Sequence, residues 1–192
     1  MGNDHYQPNS REFEGMPVWS RSFWLSRAYL EASACLCKAM LDDDFSNQYS
    51  SSRVVMHLVR QGVELFLKAA ILRATQISSR SGHNLDKLFT EYRESYPEDR
   101  YDFKFPTAFS LREELDLFPE TVQSYHSTLD QRHRYPADLK GNDFASPELF
   151  SPAIVLREIG ALSRSLFFIE SAEFGVFTQE AGDEKEGEGG RR

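Results

Sequence analysis

Cysteine is nearly absent from this sequence: there are two in 192 residues, Cys35 and Cys37. Two apart on a helix they point to different sides, so they cannot bridge each other, and a lone C-x-C lacks the other two ligands of a zinc site. A disulfide scaffold is thereby excluded, and the thiols fit a reducing compartment. Long apolar runs are missing too; none approaches the ~20 residues that a membrane-spanning helix needs. Basic charge is in deficit, with 22 Lys and Arg against 30 Asp and Glu, a net charge of -8. Residues 180–192 hold five acids and three bases, so the body keeps a net -6. That balance argues against broad, sequence-blind adhesion to nucleic acid or anionic membrane, and any anion site must be a local cluster. No segment alternates with period two, and β-hairpin dipeptides are absent. Nor is there a Gly-rich phosphate loop, a G-x-S-x-G elbow or an H-E-x-x-H helix. The opening "MGNDHYQPNS" has no apolar core of a signal peptide, and Tyr6 stands where myristoylation wants Ser or Thr. A cytoplasmic protein without a cofactor is the expectation.

What is present is helical rhythm. Hydrophobic residues make up 40%, with 15 Phe and 8 Tyr, enough for one globular domain with a sizeable core. Residues 1–17 read as an irregular lead-in, 18–177 as a single helical domain, and 178–192 as a disordered acidic tail. The first helical stretch places Leu25, Tyr29, Ala32, Leu36 and Met40 at helical spacing. From Arg53 to about Gln76 a second helix carries two stripes. One is apolar, with Val55, Leu58, Val59, Phe66, Ala69 and Leu72. The other is polar, with Arg53, His57, Arg60, Glu64 and Lys68.

The stretch "SGHNLDKLF", residues 81–89, closes that helix and starts another. Asn84 is a good N-cap, Asp86 suits the positive end of the helix dipole, and Leu85, Leu88 and Phe89 begin an apolar face. His83 sits just before the cap, where its ring can pack on the first turn. Residues 95–108 read as a loop. Ser110 and Glu113 form a capping-box pattern, Pro119 opens a further segment, and 135–143 is loop again. Ser146–Pro147 and Ser151–Pro152 each offer a cap with a first-turn proline. The closing helix shows Val155, Ile159, Leu162, Leu166 and Ile169 at steps of four, three, four and three. Four or five helices without strands predict an all-α antiparallel bundle.

The second helix and its exit carry a resemblance. Gln61, Glu64, Lys68 and Ala69 fall on a Q-x-x-E-x-x-x-K-A pattern, and His83, Leu85 and Leu88 on a following H-x-L-x-x-L junction. Arg134-Tyr135-Pro136 stands before the last long helix. In their order and spacing these resemble the HEPN (higher eukaryotes and prokaryotes nucleotide-binding) domain, across most of residues 18–175. The resemblance implies a four- to five-helix bundle, a homodimer, and a toxin–antitoxin or defence setting. There a nucleotidyltransferase-like antitoxin would be a partner. Beside it stands a plainer reading: Glu64 and Lys68 are an i,i+4 pair on a solvated stripe, worth about 0.2–0.5 kcal/mol.

Family members that cut RNA are similar in an arginine followed, after four to six residues, by a histidine. The histidine would move a proton and the arginine would stabilise charge on the phosphate. Here Arg134 is followed at those positions by Leu139, Lys140 and Gly141, and Arg132 by Ala137, Asp138 and Leu139. A binding role is therefore expected first, for a nucleotide or RNA-phosphate ligand or a partner protein. Its candidate residues are His83, Arg132, His133, Arg134, Tyr135, Glu64 and Lys68. Arginine forks suit phosphate oxygens and Tyr135 suits base stacking, while Arg73, Arg80 and Lys87 flank the His83 turn. Up-down-up-down order would bring His83 and Arg134 to one end of the bundle. Two rival readings stay open. One is a ribonuclease with a displaced site of Arg132, His133 and Arg134, completed by His83; the other is a purely structural assembly module. His126, Asp130 and His133 share a helix face, but the outer pair is ~10 Å apart along the axis, too far for one metal ion. Finally, Phe23–Trp24 and Phe167–Phe168 are adjacent aromatic pairs that no helix can turn fully inward, which points to self-association.

Overall fold

The computed structural model of the chain describes residues 13–45, 49–104 and 150–175. These form four α-helices: α1 (Val18–Leu41), α2 (Tyr49–Thr75), α3 (Leu85–Ser95) and α4 (Pro152–Phe168). A 3-10 turn follows α3 at Asp99–Tyr101, and a π-helical turn, Ile169–Glu173, continues α4. No strand occurs among the described residues. The expected all-α architecture is present in this part. The segments around Ser110–Glu113, Pro119, His126, Asp130, residues 132–136 and Ser146–Pro147 lie outside the described residues, as do 1–12 and 176–192.

Helix α2 is the centre of the packing; α1 and α3 lie along it, and α1 also packs on α4. Its burial explains why one apolar stripe does not suffice: Met56, Val63, Leu67, Ala70 and Ile71 are buried as well as Val55, Val59, Phe66 and Ala69. Leu58 and Leu72, expected on the apolar face, are half-buried. The α4 stripe is as expected, with Val155, Ile159, Leu162, Leu166 and Ile169 all buried. Ser151 does occupy the N-cap of α4 with Pro152 in the first turn, although its hydroxyl makes no capping hydrogen bond.

The α1 rhythm needs correction. The inward stripe is Phe23, Ser26, Leu30, Ser33, Cys37 and Met40. Leu25 is 42% exposed and Ala32 is exposed, while Tyr29 and Leu36 are half-buried. Three serines conceal the true face from a hydrophobic reading. They sit there because they are small and can satisfy themselves: Ser26 Oγ donates to the Gly62 carbonyl across the α1–α2 contact at 2.7 Å, and Ser33 Oγ to the Leu30 carbonyl at 2.7 Å. Gly62 faces this point. A Cβ there would stand 3.0 Å from the Ser26 carbonyl oxygen and 3.0 Å from Leu30 Cγ.

Aromatic rings tie the elements together. Phe66 of α2 lies 5.4 Å from Phe23, 6.0 Å from Tyr92 and 5.5 Å from Phe103 between ring centroids. After the π-helical turn, Phe174 stacks on Phe23 at 5.5 Å and meets Tyr96 at 5.1 Å. The buried phenols find backbone partners: Tyr92 Oη donates to the Tyr101 carbonyl and Tyr96 Oη to that of Ala70. Of the adjacent aromatic pairs, Phe23 is fully buried and Trp24 half-buried, whereas Phe167 and Phe168 are both exposed. No described helix is long and apolar enough to cross a membrane.

Candidate functional site

Helix α2 ends where Thr75 Oγ1 donates to the Ile71 carbonyl and accepts from the Ile77 amide, with Gln76 in the left-handed region at φ 59°. The chain then turns through Gly82, at φ 62°, a conformation in which a side chain would be strained. Glu91 of α3 anchors the turn, since one carboxylate oxygen accepts from Ser79 Oγ at 2.6 Å and Ser81 Oγ at 3.0 Å. Asn84 caps α3 as expected, its Oδ1 accepting from the Lys87 amide at 3.0 Å.

Held in this way, His83 reaches back to α2. Its Nδ1 lies 2.8 Å from Glu64 Oε1, and Lys68 Nζ donates to the same oxygen at 2.8 Å. Glu64 was expected on a solvated stripe, yet it is 6% exposed; so was Arg60, which is 9% exposed. The stripe is partly interior, and the plain reading of a solvated i,i+4 pair gives way to a buried carboxylate that accepts from two cationic-type groups. His83 was expected to pack on the first turn of α3; its side chain is instead half exposed and bound to α2.

The chemistry follows from this geometry. A carboxylate is an acceptor only, so the proton of the imidazole sits on Nδ1, and Nε2 makes no hydrogen bond among the described residues. Holding Nδ1 fixes the ring orientation and tautomer, the arrangement used to prepare an imidazole for proton transfer or for binding. Lys68 supplies an ammonium beside it, and Arg80 and Lys87 are exposed on the flanking turn. Thus three of the seven expected site residues, Glu64, Lys68 and His83, come together. Arg132, His133, Arg134 and Tyr135 lie outside the described residues. Arg73, counted among the basic flank, serves the core: its guanidinium covers the Phe174 ring at 4.6 Å and donates to the Phe174 carbonyl at 3.4 Å.

A second polar feature was not foreseen. Glu170, in the π-helical turn, is fully buried with neither carboxylate oxygen hydrogen-bonded, and Arg27 Nε stands 3.8 Å away, an ion-pair distance outside hydrogen-bond reach. Burial pushes its acidity up to about pKa 8, against the opposing pull of Arg27. Arg27 lies over the rings of Phe167, at 4.7 Å, and Trp24, at 5.6 Å. The sequence signal was faint: a glutamate one place beyond an apolar stripe, at the point where the helix widens and carries it inward. No cluster of three or more metal-ligating side chains exists among the described residues.

Compared with known proteins, the chain matches no family model, no curated protein and no solved structure.

Proposed function

We propose that this chain is a HEPN-like, non-catalytic binding domain, and that the Glu64–Lys68–His83 cluster at the exit of α2 takes a phosphate-bearing ligand, a nucleotide or a stretch of RNA. A single observation carries the reading: one buried carboxylate holds both a lysine and an oriented histidine at an open turn. Holding two flexible donors in place before binding lowers the entropy that a ligand must overcome. Arg80 and Lys87 add positive charge where the molecule as a whole is acidic. The resemblance in sequence runs through the same residues, and it brings with it the toxin–antitoxin or defence setting and a homodimer as parts of the proposal.

The test is binding of fluorescent nucleotides and short single-stranded RNA by the purified chain. Lys68→Ala and His83→Ala are each expected to cost about 1–3 kcal/mol, roughly five- to hundredfold, the scale of a charge-assisted hydrogen bond. Arg157→Ala, exposed on α4, is expected to change little. Equal losses from all three would leave only diffuse electrostatics and sink the proposal.

One observation favours a second reading. The carboxylate-held imidazole is also a proton-transfer arrangement, so a ribonuclease with a displaced site is the rival. RNA turnover that vanishes in His83→Ala, with the helical circular dichroism retained, would establish it in place of the binding role.

A further inference from the structure

Helix α1 has a second stripe, opposite the one that packs inward. Val18, Arg21, Leu25, Ala28, Ala32 and Cys35 are all exposed and recur at steps of three, four, three, four and three. That alternation is the seam pattern of one helix lying along another. Val18 is 64% exposed and Leu25 42%, and Arg21 is the one charge in the stripe. The other charged groups of the exposed helix surface, Glu31 and Lys38, flank it.

The stripe is also self-complementary. Turning a second copy about a two-fold axis that passes between Ser26 and Arg27 sets Val18 against Cys35, Arg21 against Ala32 and Leu25 against Ala28, each pair occurring twice. Larger side chains then meet small ones all along the seam, which lets two helices approach closely. Arg21, lying over Ala32 of the second copy, is next to that copy's Glu31, so the single charge of the stripe finds an opposite one. Its Nε is occupied by the Met16 carbonyl at 2.8 Å, which leaves the terminal nitrogens for such a pair. A parallel arrangement would set Arg21 against Arg21 and is disfavoured by like charge. We infer that the outer face of α1 is a self-association surface on which two copies of this chain pair antiparallel. The inference is independent of the ligand reading, because it uses none of the residues at the α2 exit.

At about 25 Å long a single helix seam falls at the small end of specific interfaces, so the association is reversible. Sedimentation of the full chain under reducing conditions is expected to show mass rising toward a dimer up to about 100 µM protein. Leu25→Glu, at an exposed position, is expected to abolish that rise with unchanged circular dichroism. Val18→Cys supplies the geometric test. On oxidation it should form a covalent dimer through Cys35 of the second copy, and Val18→Cys combined with Cys35→Ser should not. Ala153→Cys, exposed on α4, is the control for random crosslinking. A chain that stays monomeric across this range, Val18→Cys crosslinking no better than Ala153→Cys, or a Leu25→Glu variant that still dimerises would each overturn the proposal. So would an efficient Cys35–Cys35 crosslink in the unaltered chain, since the antiparallel seam keeps those thiols apart.

Discussion

At the scale of single residues, the two carboxylates drawn out of water fare differently. Glu64 is buried with two donors on one oxygen, whereas Glu170 is buried with no hydrogen bond and an arginine at 3.8 Å. The acidity of Glu170 is shifted upward by desolvation, so its folded form holds the proton more tightly than the unfolded chain does. Linkage gives the sign. The stabilisation from that proton is fully present below the ordinary carboxylate value, near 4.5, and is lost as pH rises toward about 8. Glu170→Gln keeps the shape and removes the titration. It is therefore expected to raise the melting temperature by an amount that grows between pH 5 and pH 8, as read by thermal denaturation across that range. An increment independent of pH, or a loss, would show that the ionised form is better accommodated than the geometry allows. Neither carboxylate was fully legible in the sequence. The i,i+4 spacing gave the Glu64–Lys68 contact correctly, but nothing local to α2 says that the polar stripe is covered. For Glu170, the widened π turn decides which way the side chain faces, and that turn is a tertiary outcome.

At the scale of the elements, legibility followed how apolar the buried face is. The faces of α3 and α4 consist of Leu, Ile, Val and aromatic residues, and both were readable, as was the Asn84 cap. The face of α1 alternates such residues with Ser20, Ser26 and Ser33, so its hydrophobic rhythm pointed to the wrong side. The cause is the α1–α2 contact, where close approach at Gly62 selects small residues over greasy ones. Gly62→Ala tests this directly. An added methyl would meet the Ser26 carbonyl oxygen and Leu30 Cγ at 3.0 Å, and a backbone oxygen cannot swing aside as a side-chain end can. The strain would also weaken the Ser26 hydrogen bond to the Gly62 carbonyl. A loss of about 1–3 kcal/mol in chemical denaturation is expected, although alanine is the better helix former by roughly 1 kcal/mol. A variant as stable as the parent would mean that the two helices are not in close contact at this point.

At the scale of the whole molecule, charge constrains what the proposed site accepts. The chain carries a net -8, while the α2 exit gathers Lys68, Arg80 and Lys87 around a single buried carboxylate. A long polyanion laid over the surface would leave this small basic region and run onto acidic ground, so each further phosphate adds repulsion in place of contact. A ligand with few phosphates gains the local attraction alone. Mononucleotides and short RNA are therefore expected to bind with similar affinity, without the steady gain with length that a general RNA-binding surface gives. The salt dependence should be correspondingly shallow. Two or three neutralised phosphates on a single strand give a slope of about -1.4 to -2.1 in log affinity against log salt, since each contributes roughly -0.7. Titrations of a mononucleotide and of oligonucleotides of increasing length, at a series of salt concentrations, measure both quantities together. A slope that steepens with length would place the contacts along an extended basic track, and the compact site at His83 would then not be where RNA is held.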